Sequence, residues 1–220
     1  MRRFFLTRRA ALLVAATAIV AGSAGCSIGT DSEPRSLAVS TTTTSAPTAP
    51  STGGASAQLW YLRDGALVPA AVSLPDHTVS TTIGALFDTP DNAVKSQELT
   101  SSVPIDTQLA NLDLNDGTLT VNLSKEFDNV VGPSRQQAIA QIVLTATEFV
   151  SVNKVRFKVD GKSIQVATPT RGDATTVTAC DYASFLGDPA VLAQSGIANA
   201  SMQQLDQRIA GLNETCPASK

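Results

Sequence analysis

L-D-L-N-D-G-T-L-T-V-N-L-S-K-E-F (residues 112–127), A-Q-I-V-L-T-A-T-E-F (140–149) and V-N-K-V-R-F-K-V-D-G (152–161) decide how this chain folds. Leu112 and Leu114 alternate with polar residues, Asn115-Asp116-Gly117 turns the chain, and Leu119, Val121 and Leu123 alternate back. A period of two on both arms predicts a hairpin with one packed face and one wet face. Ile139, Ile142, Val143, Ala146 and Phe149 then fall on one helical stripe, which Ser134 and Gln137 are expected to open as a capping box. Val155, Phe157 and Val159 alternate into Asp160-Gly161, and Ile164-Gln165-Val166 returns as another hairpin.

Upstream, Leu59-Trp60-Tyr61-Leu62 and Ala66-Leu67-Val68 flank Arg63-Asp64-Gly65, a further hairpin whose second arm Pro69 and Pro75 should shorten. Val79, Ile83, Leu86 and Phe87 keep to one helical face, with Thr78 as N-cap and Pro90 as stop. The order is hairpin, helix, hairpin, helix, hairpin. Two amphipathic helices cannot bury their stripes alone, so residues 58–168 should form an α+β two-layer sandwich. Its sheet of hairpins would be mainly antiparallel, with two helices on one face.

Residues 169–220 read differently. Asp188-Pro189 should cap a short helix, and Ser201 with Gln204 opens a longer one carrying Met202, Leu205, Ile209 and Leu212 on one face. With Cys180 before and Cys216 after, this is expected to be a small helical appendage packed on the main sheet.

The N-terminus carries an address. Met1 to Arg9 is a positive region, Ala10 to Gly22 is apolar, and Ser23-Ala24-Gly25 precedes Cys26. The layout resembles a bacterial lipoprotein signal (residues 1–25), with Ser23 in place of the usual leucine and Cys26 as the residue to be lipidated. The expected location is the outer face of the cell membrane, held by an N-terminal diacylglycerol. Thr7-Arg8-Arg9 leaves open whether export takes the general or the twin-arginine route. Residues 26–57 are rich in Ser, Thr, Ala and Pro, a composition that cannot offset ordering entropy, so they read as a tether of roughly 30 Å reach.

Cys26, Cys180 and Cys216 make an odd count. With Cys26 acylated, the other two are free to pair in an oxidising compartment, the alternative being two buried thiols. Closing a loop of roughly 37 residues would stabilise the fold by about 3–4 kcal/mol. Four of the sixteen basic residues precede Cys26 and no acid does, leaving 12 against 19 and a net charge of −7. The remaining bases read as scattered, so nucleic acid is not an expected partner.

Candidate chemistry is sparse. His77 is the single histidine and Asp76 precedes it, but no nucleophile elbow completes a triad. One histidine and two pairing cysteines leave no ligand set for zinc, and no cofactor is expected. Asp113-Leu114-Asn115-Asp116-Gly117 has its glycine one position early for a calcium loop. Glu126 and Asp128 read as solvated acids past a strand end rather than as a hydrolase pair. Trp60 and Tyr61 alternate faces, so one should be core and the other could contact a glycan or protein.

These segments resemble the GerMN domain family of sporulation and spore-germination lipoproteins. Leu99-Thr100-Ser101-Ser102-Val103-Pro104 with Thr107 and Leu109 is similar to its loop entering a strand. Gly117 through Val121, Leu123-Ser124 and Phe127 are similar to its G-x-x-x-V-D-L-S-x-x-F hairpin, with Asn122 replacing the aspartate. Gln141-Ile142-Val143, Thr145, Glu148-Phe149, Val152, Val155, Phe157 and Val159-Asp160-Gly161 are similar to its helix and closing strand, and Tyr61 to Gly65 fits its opening. The resemblance implies a non-enzymatic envelope module that assembles with another envelope protein or a cell-wall polymer. An envelope hydrolase, or a carrier of a small ligand or lipid, are the other classes to weigh.

Overall fold

The computed structural model describes residues 54–216. The signal, Cys26 and most of the tether lie outside the described residues.

Three Asp-Gly turns organise the strands. Asp64 and Gly65 (φ 51° and 83°), Asp116 and Gly117 (46° and 71°), and Asp160 and Gly161 (48° and 76°) all take the positive φ pair of a type I′ turn. That turn matches the right-handed twist of the arms it joins. The first joins β1 (Ala55–Arg63) to β2 (Ala66–Leu74) in a two-stranded sheet. Pro69 does not shorten β2 as expected. Arg63 pairs with Ala66 across the turn, so alternation puts Trp60 and Pro69 in a non-hydrogen-bonded pair. The proline therefore removes no ladder bond, and the Trp60 N–H points outward to the Thr145 hydroxyl at 3.0 Å.

Helix α1 (Val79–Gly84) is capped by Thr78, whose hydroxyl accepts from the Thr81 N–H, and α2 (Asn92–Ser96) by Asp91. Next come β3 (Leu109–Asn115) and β4 (Thr118–Leu123), then a 3₁₀ turn (Lys125–Asn129), then α3 (Gly132–Ala146). Ser134 does not cap α3: the helix begins two residues earlier, with Pro133 in its first turn, where a missing N–H costs nothing. A helix of 15 residues runs about 22 Å, enough to carry the chain back to the start of β4. There the Asn153 and Lys154 N–H groups both reach the Gly117 carbonyl, at 2.8 and 3.0 Å. Strand β5 (Lys154–Val159) therefore lies parallel to β4, a pairing that the hairpin pattern does not anticipate.

The third turn starts a hairpin that soon parts. Strand β6 (Lys162–Ser163) pairs with the end of β5, and β7 (Val166–Thr168) leaves to pair with β8 (Gly172–Ala174). The sheet order β3-β4-β5-β6 thus stands apart from the β1-β2 and β7-β8 ribbons, where one sheet was expected. The class remains α+β. Its core is continuous, taking in Leu59, Trp60, Leu119, Val121, Ile139, Ile142, Phe157, Tyr182 and Leu205.

Helix α3 is the centre of this core rather than its roof. Every residue from Ala138 to Ala146 is buried, because β1, α1, β7 and a second 3₁₀ turn (Ala179–Phe185) surround it. The C-terminal segment completes the cover. Val177 exchanges both backbone bonds with Val155, and the Gly187 N–H reaches the Leu67 carbonyl at 3.0 Å. Asp188 caps α4 (Pro189–Leu192), and α5 (Asn199–Thr215) lies on β2 and the 3₁₀ turn. Ser201 is buried inside α5 rather than capping it, since the helix starts at Asn199. A disulfide joins Cys180 to Cys216.

Candidate functional site

Gln141 sits fully buried in the middle of α3, where a polar side chain must find partners. It finds them in the loop before β3. Its Oε1 accepts from the Ser102 N–H at 3.0 Å and the Ser101 hydroxyl at 3.3 Å, and its Nε2 donates to Ser101 Oγ at 3.1 Å. Thr100 is tied from the other side, exchanging backbone bonds with Leu62 at 2.8 and 2.9 Å. Residues 99–104 are thereby held between a helix and a strand edge, although they form no regular structure.

Against this loop stands the corner between α1 and α2. A groove of about 440 Å³ separates them, lined by Leu86, Phe87, Leu99, Val103 and Ile105, with Lys95 at its side. Ile105 is 81% exposed. The corner also carries Asp88 and Asp91. Burial first, and those two carboxylates after it, push the Tyr61 hydroxyl up to about 12.

Trp60 and Tyr61 correct the expectation that one would face outward. They are 1% and 2% exposed, because both faces of β1 are covered. Trp60 donates its indole N–H to Glu148 at 3.0 Å, and Glu148 also pairs with Arg208 of α5 at 3.5 Å. A notch of about 280 Å³ remains there, lined by Gln58, Trp60, Pro69, Glu148, Gln204, Gln207 and Arg208. Both aromatic residues are packing residues.

The other candidates are dispersed. His77 is exposed and lays its ring on Phe149, with centroids 4.9 Å apart. The hydroxyls of Thr81 and Thr78 engage Asp76 and hold its carboxyl below the usual range. Asp128 pairs with Arg135 at 3.7 Å, while Glu126 is held low by the Ser124 hydroxyl. Asp113 accepts from the Asn115 amide beside a hairpin turn. Among the described residues, no group of three or more His, Cys, Asp or Glu is placed to hold a metal ion.

The bases are less scattered than the sequence suggests. Lys154, Arg156 and Lys158 alternate with the buried Val155, Phe157 and Val159, so they stand in one column on the wet face of β5. The alternation K-V-R-F-K was the available signal.

Comparison with known proteins places part of the chain. Residues 58–165 match the Germane family model, described as sporulation and spore germination. No curated protein matches the chain. Among solved structures it is similar to the tandem GerMN domains of the sporulation protein GerM from Bacillus subtilis. That likeness has 22% identity and a TM-score of 0.46, over 58% of this chain and 47% of that one. It is also similar to the first GerMN domain of the same protein, with 22% identity and a TM-score of 0.44, over 55% of this chain and 92% of that one. The chain spans about half the length of the tandem structure.

Proposed function

Because residues 58–165 belong to the Germane family of sporulation and spore-germination domains, we propose that this chain is a lipid-anchored envelope protein that binds and assembles rather than catalyses. The anchor is Cys26, on the strength of the signal pattern before it. Among the described residues no helix is long and apolar enough to cross a membrane, and acylation at Cys26 supplies an attachment of another kind. The partner is another extracytoplasmic protein or a wall polymer.

The groove between residues 99–105 and the α1–α2 corner carries this reading. Its loop is fixed by Gln141 before any partner arrives, so binding costs little ordering of the backbone. Ile105 stands free at its rim, the kind of apolar side chain that anchors an interface once covered. His77, Glu126 and Asp128 are each engaged apart from the groove, which favours binding over hydrolysis.

A photo-crosslinking amino acid at position 105 in intact cells tests the proposal, with the exposed position 150 as control. One discrete envelope product from position 105 and none from position 150 is the expected result. Equal crosslinking from both positions, or release of soluble products from wall glycan by the purified chain, would end it. For the anchor, Cys26→Ala should move the protein from membrane to medium, and unchanged fractionation would refute it.

A further inference from the structure

Ten basic residues lie between positions 54 and 216, and their partners divide them into two groups. Arg63, Arg135, Arg171 and Arg208 each hold an ion pair. Among the described residues Lys95, Lys125, Lys154, Arg156, Lys158 and Lys162 hold none, and the last four fall within nine residues of one hairpin. Three of them share a face. The register sets Lys154 beside Thr118, Arg156 beside Thr120 and Lys158 beside Asn122, with Ser163 on the far side of Lys158.

Sheets usually set opposite charges across from one another, because like charges on one face repel. Here the flanking positions supply hydroxyls and an amide instead. The backbone that carries these cations is also fixed. Their strand is paired with β4 along its whole length, and its alternate side chains are locked in the core. Two residues along a strand is about 6.6 Å, so the column presents three positive charges over about 13 Å in a straight line. Asp116 and Asp160 stand in the turns at either end of the column, and within the paired strands one acid occupies the same face, Asp113 on β3. It lies across Thr120 from Arg156, about 9.6 Å away as two strand spacings, and its carboxylate accepts from Asn115.

Asn122 sharpens the pattern. Its Oδ1 accepts from the Gly161 N–H at 3.0 Å, a bond that an aspartate would make equally well. The amide keeps the turn fastened while leaving the row beside Lys158 without negative charge.

We infer that the wet face of the β3–β6 sheet binds a linear phosphate polymer, a polyphosphate or phosphodiester chain laid along β5. A row of cations flanked by hydroxyl and amide donors suits successive phosphates, each taking a charge and a hydrogen bond. The positions on this face are polar throughout. A bilayer surface would favour a spread of bases with apolar or aromatic side chains to insert, so the line of charge favours a polymer over a membrane. The proposal uses a face separate from the groove and stands whether or not the groove binds a protein.

The test is titration of the purified full-length chain with long-chain inorganic polyphosphate, read by anisotropy over a salt series. Three contacts predict that log affinity falls with log salt at a slope of about 2. Replacing Lys154, Arg156 and Lys158 together by Gln should weaken binding about tenfold or more. A Lys125→Gln control, which removes a cation outside the column and the groove, should leave it intact. Asn122→Asp should keep the melting temperature and weaken binding severalfold. Equal losses in the triple variant and the control would overturn the proposal by making the attraction non-specific. So would an Asn122→Asp chain that binds like the wild type. Capture by anionic phospholipid vesicles with no affinity for polyphosphate would also overturn it, in favour of a bilayer surface.

Discussion

The Gln141 amide reaches from the middle of α3 to the backbone N–H of Ser102 and fixes a loop that has no regular structure of its own. Gln141→Leu keeps the volume but strands that N–H and the Ser101 hydroxyl. Leaving buried partners unsatisfied costs about 1–3 kcal/mol, which chemical denaturation would read. The same variant should lower crosslinking from position 105, because the loop would no longer be held in place. Unchanged stability would mean that the loop is held by its bridge to Leu62 alone.

Alkaline titration reports on the other side of the groove. Tyr61 and Tyr182 are the two tyrosines of the chain, and burial comes first in raising both. Tyr61 moves to about 12 from an unfolded value near 10. A raised value means the fold prefers the neutral phenol. That stability is complete below pH 10 and is lost as pH climbs through 10 toward 12. Phenolate absorbance should therefore stay flat near about pH 10, the ordinary tyrosine range, and Tyr61→Phe should flatten the alkaline stability limb. A tyrosine that ionises at its ordinary value would place it at the surface.

The Cys180–Cys216 bond closes a loop across the C-terminal segment, with a sequence separation of 36. Replacing both cysteines by serine frees that loop in the unfolded chain, at a loss of about 3–4 kcal/mol. In a domain of this size that lowers the melting temperature by about 10 °C. Calorimetry of the double variant, or of the reduced wild type, gives the answer. An unshifted melting temperature would show that α5 is held by Leu205 and Leu212 without the bond.

The parts of this fold legible in the sequence are those that local chemistry decides. Asp64-Gly65, Asp116-Gly117 and Asp160-Gly161 each needed two residues that tolerate positive φ, and each became the turn that its letters spell. Thr78 and Asp188 capped the helices they precede. What escaped depends on distant neighbours. Trp60 and Tyr61 alternate like a half-wet strand, yet covering elements on both sides bury them. Gln141 and Thr145 lie off the apolar stripe read for α3, and their partners, the Ser102 and Trp60 N–H groups, come from distant segments. The parallel match of β4 to β5 is set by the length of α3, which no alternation of side chains encodes. The cation column was written in K-V-R-F-K, but its lack of acidic partners emerges only from the register.

Asp181 gives the sharpest test of which interaction counts. Burial opposes its charge, but Arg171 (2.6 and 2.7 Å), the Thr178 N–H (2.8 Å) and the hydroxyls of Thr170 and Thr178 together hold its carboxyl below the usual range. A lowered value means the fold prefers the carboxylate. Its stability is present above the ordinary aspartate range near about 4 and is lost as pH falls below it. Arg171 is half exposed, and solvent-screened ion pairs contribute about 0–1 kcal/mol, so Arg171→Gln should cost little. Asp181→Ala instead strips the cap from the 3₁₀ turn that begins at Ala179 and leaves the Thr178 N–H unpaired, at about 1–3 kcal/mol. It should also flatten the acid limb of the stability curve. Denaturation of both variants across acid pH decides the matter: equal losses would assign the stability to the guanidinium, and unequal losses to the cap.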